Sequence, residues 1–239
     1  QMFNSFLDGT KPAIETTAVA NATGLTPAPG GLAYPPARIA DLPAVMRPTS
    51  EGGALHHKGQ VEVASSLHPD GTPVDDDIRW GVFVTFEAGD DYVARCFGEY
   101  GLVTDPTGRH ACMFKKWHLI GLELGITVAS VACRGEPTGQ ADGWRGDAVA
   151  VAKKDLVPGD RLDGEGGYTV AGQLMPAADS RAAGAVPIGL ADKVDVLRPV
   201  AQDAPITWAD VKMDESGEAF QARRAMEASF GPALNEAAE

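Results

Sequence analysis

Asn4, Asp8, Lys11 and Glu15 fall at i, i+4, i+7 and i+11, the spacing that puts side chains on one stripe of a helix. The stripe holds two acids flanking a cation. Reducing a carbonyl takes a proton donor beside the developing alkoxide, and a cation or hydrogen-bond donor to stabilise it. Lys11 suits either role, Asp8 is placed to hold Lys11, and Asn4 and Glu15 are placed to bind substrate. The plain alternative is a solvated helix face, and Pro12 interrupts one continuous helix through all four residues.

A second group is Lys115, Lys116, Trp117 and His118, followed by Glu123. In an acidic chain, adjacent lysines beside a His and a Trp form a local pocket for a phosphate or carboxylate. Lys115 reads as an exposed strand end, Lys116 and His118 as contacts to a substrate anion. Glu123 sits in an apolar run and so needs a partner, structural or in a site. His56, His57, His68 and the acids Asp75, Asp76 and Asp77 match no ligand spacing. They read as a charged loop; no metal ligand is assigned, and a divalent metal has no motif behind it. The loop Gly164-Glu165-Gly166-Gly167-Tyr168 lacks the Lys and Ser/Thr of a phosphate-binding loop. It reads as a tight turn on which Tyr168 packs.

The elements that must position these groups follow from pattern. Residues 1–8 read as a strand or short helix. Thr10 is placed to cap a helix running to Thr23, with Ile14, Ala18 and Ala22 on one face and Gly24 as its stop. Residues 26–53 are rich in Pro and Gly and read as an ordered surface excursion. Short strands are predicted at 61–65, 79–87 and 110–117. A helix over 92–100 is capped by Asp90 or Asp91 and closed by Gly101. Residues 118–133 read as a helix by length, residues 137–146 as a linker, and the chain from Met213 as a polar helix with a frayed end.

Composition narrows the classes. The chain has 239 residues, 44% hydrophobic and 22% charged, as in an ordinary globular protein. Its net charge of −13 argues against nucleic acid or an anionic membrane as partner, and no apolar stretch is long enough to span a bilayer. Cys96, Cys112 and Cys133 are odd in number and set among apolar neighbours, which points to reduced, buried thiols and a cytoplasmic setting.

The segment AVAKKDLVPGDRLD at 150–163 is echoed by VLRPVAQDAPITWADV at 196–211. Each has an apolar strand, a basic residue, a Pro-bearing turn, a second apolar run and an Asp. This doubled strand–turn–strand resembles the SAF domain, a small β-clip module. Further segments are MFNSFLDGTK (2–11), RWGVFVTFE (79–87), CFGEYGL (96–102), HLIGLELG (118–125) and RGEPTG (134–139). They resemble NAD(P)-dependent, homoserine-dehydrogenase-like oxidoreductases with a C-terminal SAF domain. This family includes the deoxyxylulose-phosphate-reductoisomerase-like enzymes of an isoprenoid precursor pathway.

The resemblance implies an α+β fold: a mixed sheet with covering helices over 1–145 as catalytic domain, a SAF-like β-clip over 146–212 and a polar helix and tail over 213–239. It implies NADP or NAD bound mainly by an N-terminal Rossmann domain outside this chain, because no GxGxxG follows a strand here. The chain then reads as the downstream part of a longer polypeptide. The implied substrate is a small anionic, sugar-like carbonyl compound, and a homo-oligomer is expected. The competing class is a non-redox SAF protein, either a sugar-acid lyase component or a carbohydrate-binding module.

Overall fold

The computed structural model describes residues 3–236. In chain order its helices and strands are α1 (Asn4–Leu7), α2 (Thr10–Thr23), α3 (Leu42–Val45), β1 (Val82–Glu87), α4 (Asp91–Glu99), β2 (Val103–Thr104), β3 (His110–Lys115), α5 (Ile120–Arg134), β4 (Gly146–Ala152), β5 (Arg161–Asp163), β6 (Val170–Pro176), α6 (Ala177–Ala183), β7 (Asp192–Val196), β8 (Val211–Lys212) and α7 (Glu218–Glu236). The fold is α+β, and every pairing between these strands is antiparallel. Two compact units form. One comprises residues 1–32 with 141–239, the other residues 33–140.

In the first unit α2 lies on the β4–β6 pair, whose register runs from Gly146 opposite Pro176 to Ala152 opposite Val170. The buried face of α2 is Thr10, Ala13 and Ala20 rather than Ile14, Ala18 and Ala22. Small residues win there because the helix rides close on the sheet. The Thr10 hydroxyl accepts the Gly172 amide at 2.7 Å, and a Cβ at Gly172 would lie 3.0 Å from Thr10 Cγ2. Thr10 is therefore the first helical residue and not the cap; Gly9, at φ 83°, caps instead, and Gly24, at φ 81°, stops the helix. Asn21 ties the helix to β4: its carbonyl oxygen accepts the Arg145 and Gly146 amides at 2.7 and 3.0 Å.

The two echoed segments bond to each other. Leu156 and Val200 exchange amide–carbonyl bonds of 2.8 and 3.1 Å, and the Gly159 amide donates to the Val196 carbonyl at 2.9 Å. Gly159 turns at φ 94°. β5, β7 and β8 complete a second small sheet in the order β5-β7-β8. The polar helix expected from Met213 forms as α7, and it is docked. Phe220 is buried edge-on against Trp208. Arg223 lies over Trp144 and bonds the buried Asp147 carboxylate at 2.9 and 2.6 Å. Residues 237–239, at the end that was expected to fray, lie outside the described residues, as do residues 1 and 2 of the first element.

In the second unit the sheet order is β1-β3-β2, with Val82 opposite Lys115 and Glu87 opposite His110. One face of this sheet packs on the Pro- and Gly-rich excursion, where Ala37, Leu42, Met46 and Leu55 surround Cys112. α4 closes a second cluster through Phe97, which stacks edge-on against Phe86. Its cap is Asp90, whose carboxylate accepts the Val93 amide at 2.8 Å. No strand forms at 61–65; Ser65 alone bridges to Pro36. The excursion supplies loop partners there, and an isolated run of that length has no neighbour strand to pair with. Of the thiols only Cys112 is buried, and burial pushes it up to about 11. Cys133 is exposed and Cys96 half-buried, against the expectation of three buried thiols. Among the described residues no helix is long and apolar enough to cross a membrane.

Candidate functional site

The first unit gathers the N-terminal stripe around the glycine loop. Asp8 ends α1, and its Oδ1 accepts the Thr10 amide at 3.0 Å, which sets the tight passage through Gly9 into α2. Asp8 Oδ2 accepts Lys153 Nζ at 2.8 Å, and Lys153 also donates to the Gly167 carbonyl at 2.8 Å. Asn4 Nδ2 donates to the Gly166 carbonyl at 3.1 Å. Lys11 pairs with Glu165 at 3.5 Å, both about 40% exposed or less. Glu15 is exposed on α2.

The stripe expectation brings Asn4, Asp8 and Lys11 to one loop, but the pairing differs. The carboxylate of Asp8 goes to Lys153 rather than to Lys11. The helix break at Gly9 turns Asp8 inward, whereas Lys11, in the first turn of α2, reaches Glu165. Burial pushes the Asp8 carboxyl up, yet the hydrogen bonds from Lys153 and Thr10 outweigh it, so the net direction is down. Lys153 is already held by two acceptors. Lys11 keeps a longer contact, 3.5 Å to Glu165, and is partly exposed.

The loop at 164–168 forms the turn its glycines predict, but Tyr168 does not pack inward. It is exposed beneath Lys154, whose Nζ stands 5.0 Å from the ring centroid. Asp163 fills the loop from within. Its carboxylate accepts the Tyr168 amide at 2.6 Å and the Thr169 amide at 3.0 Å, and a Cβ at Gly167 would lie 2.2 Å from Asp163 Oδ1. With an internal carboxylate on those amides, the loop does not fit a dinucleotide pyrophosphate.

The second unit carries the Lys116 group. Glu123 gathers Lys115 Nζ at 2.5 Å, His118 Nδ1 at 2.8 Å and the Leu119 amide at 3.1 Å. Those bonds, Lys115 foremost, hold its carboxyl down at about 2. Lys115, expected to be a bare strand end, is thus the main partner of Glu123. Lys116 pairs with Asp76 at 2.7 Å, and Arg79 bonds Asp77 through Nε and Nη2. These four residues, with Trp80 and Trp117, line an open cavity of about 300 Å3. Its walls are two indoles and two balanced ion pairs, and Asp76 stands at φ 48° to present its carboxylate to Lys116. Gly81 permits the close passage beneath: a Cβ there would lie 2.3 Å from the Lys115 carbonyl oxygen.

A third cluster escaped sequence reasoning. Glu51, Glu87 and His110 bring ligand-type atoms within 4.8 Å of one another. Lys58 Nζ sits between the two carboxylates at 2.9 and 2.7 Å, so its ammonium supplies the cation that the cluster needs. The three acceptors lie far apart in sequence, and no local spacing announces them.

Among curated proteins the chain finds no match. Residues 1–124 match the family model described as Oxidoreductase DRL, catalytic domain, which covers more than half of the chain and contains all seven residues singled out above as catalytic or substrate-binding: Asn4, Asp8, Lys11, Glu15, Lys116, His118 and Glu123. The chain therefore belongs to the DRL oxidoreductase catalytic-domain family, and the redox class stands over the non-redox one.

Proposed function

We propose that the chain carries the substrate-side chemistry of an NAD(P)-dependent oxidoreductase that reduces or isomerises a small phosphorylated or carboxylated sugar-like carbonyl compound, in isoprenoid precursor synthesis. The observation that carries this reading is the Asp8–Lys153–Gly167 bonding with Lys11 beside it. Carbonyl reduction builds negative charge on oxygen. Lys11 stabilises that charge and gives up the proton, while Lys153, neutralised by Asp8, keeps the α1–α2 junction in place. Asn4 and Glu15 orient substrate hydroxyls; in the second unit Lys116 and His118 form a separate group suited to a small anion, with Glu123 holding His118. The nicotinamide is assigned to no residue of this chain; it belongs to an N-terminal Rossmann domain of the parent polypeptide. The doubled segment over 146–212 is read as a SAF-like β-clip.

The test is kinetic. In the natural full-length enzyme, Lys11→Ala is expected to lower kcat by roughly two to four orders of magnitude, the range for a lost general acid. Wild-type turnover in the Lys11→Ala enzyme overturns the assignment.

A further inference from the structure

Of the four tryptophans, two are spent on packing. Trp144 is buried under Arg223, and Trp208 touches both Phe220 and Arg224. The other two, Trp80 and Trp117, are 63% and 55% exposed. An indole is a large apolar face with one polar N–H, so leaving it in water forgoes a large burial term. Both exposed indoles line the same cavity, beside Asp76, Asp77, Arg79 and Lys116. The backbone holds them there. Trp80 leads into β1 and Trp117 follows β3. The His118 amide donates to the Trp80 carbonyl at 2.5 Å, and Gly81 lets the two segments pass closely. All six lining residues belong to the second unit.

We propose that this cavity binds a single sugar ring, with the C–H face of the ring on the indoles and its hydroxyls on the charged rim. The C–H bonds of a sugar are polarised by the oxygens beside them and are drawn to the negative face of an aromatic ring. The rim is already internally paired: Lys116 Nζ donates to Asp76 Oδ1 at 2.7 Å, and Arg79 grips Asp77 through Nε and Nη2. What remains without a protein partner, among the described residues, is an acceptor at Asp76 Oδ2 and donors at Arg79 Nη1 and Lys116 Nζ. A hydroxyl both donates and accepts. Neighbouring hydroxyls therefore bridge the acceptor and the donors while both ion pairs stay intact.

Charge and size agree with that occupant. Two carboxylates face one ammonium and one guanidinium, so the lining selects the body of a ligand rather than its charge. A volume of about 300 Å3 lies at the low end for ligand pockets, roughly 300–1,000 Å3, which suits one ring and not a chain of them. Asp77 is only 10% exposed in its side chain, and its bonds to Arg79 fix the polar wall before a ligand arrives, which lowers the ordering cost of binding. The sugar site is independent of the redox reading, since the Lys11 group lies in the first unit.

The test is a titration of the full chain with glucose, galactose, mannose, xylose and ribose, followed by tryptophan emission and by saturation-transfer NMR on the sugar protons. At least one sugar is expected to bind at millimolar concentration, to shift the emission to the blue and to take up saturation on its ring C–H protons. Trp80→Leu and Trp117→Leu replace exposed side chains, so each variant is expected to keep its fold by far-UV circular dichroism and to bind about 10-fold more weakly. Trp117→Phe restores an aromatic face and is expected to recover part of the loss. No binding by any of the five sugars at millimolar concentration, or binding that both leucine variants leave unchanged, overturns the proposal. So does inorganic phosphate that shifts the emission where no sugar does, which marks an anion pocket instead.

Discussion

Replacing Lys153 with Met keeps the aliphatic stem and removes only the ammonium that joins Asp8 to the glycine loop. Both side chains are mostly buried, 27% and 13% exposed, so solvent screens the pair little. The variant loses two bonds of 2.8 Å, one to a carboxylate and one to the Gly167 carbonyl. A charge-assisted hydrogen bond contributes about 1.5–3 kcal/mol, and Asp8 is left with the amide and hydroxyl of Thr10 as support. A loss of about 2–3 kcal/mol at neutral pH is expected, read by urea unfolding followed by far-UV circular dichroism. The pH dependence has a definite sign. Folding lowers the Asp8 carboxyl from its ordinary 3.8. The stabilisation is therefore complete above that value and fades as pH falls through the lower folded value. The gap between wild type and Lys153→Met should be level from neutral pH down to about 5 and should narrow below 4. A gap under about 0.5 kcal/mol at neutral pH, or one that stays constant into strong acid, refutes the role given to this pair.

Arg223→Ala should destabilise the first unit by about 3–5 kcal/mol, because it leaves the buried Asp147 with only the Ser180 hydroxyl as partner; a loss below 1 kcal/mol on the same urea assay would count against α7 as a structural element. The Glu123 carboxyl, followed by carbon-13 chemical shift, should titrate near 2, and Lys115→Ala should move it up toward the ordinary glutamate range. Titration of the wild-type group above 4 would break the cluster at the start of α5.

Local chemistry made much of the fold readable. The Asp90 cap, the glycine stops at Gly24 and Gly101, and the β-branched and aromatic run of β1 act within a few residues, so the bounds of α2, α4, β1 and β3 fall close to those expected. The strand expected at 61–65 failed for the complementary reason: strand pairing needs a neighbour, and none stands beside it. Lys153 was missed as the partner of Asp8 because 145 residues separate them. Glu51, Glu87 and His110 were missed because three distant loops and strands bring them together.

The sequence by itself determined that this chain has an α+β framework, two echoed segments at 150–163 and 196–211, and acids and lysines concentrated at residues 4–15 and 115–123. Its family lies in the same segments, since residues 1–124 carry the match. Only the tertiary structure decided the partners of those groups: Asp8 with Lys153, Lys11 with Glu165, Glu123 with Lys115 and His118. It also decided that the apolar side of α5 faces outward. Periodicity marks which residues share a side of a helix. Which side turns toward the body of the protein is set by hydrogen bonds and packing from residues far along the chain, and no local pattern records those.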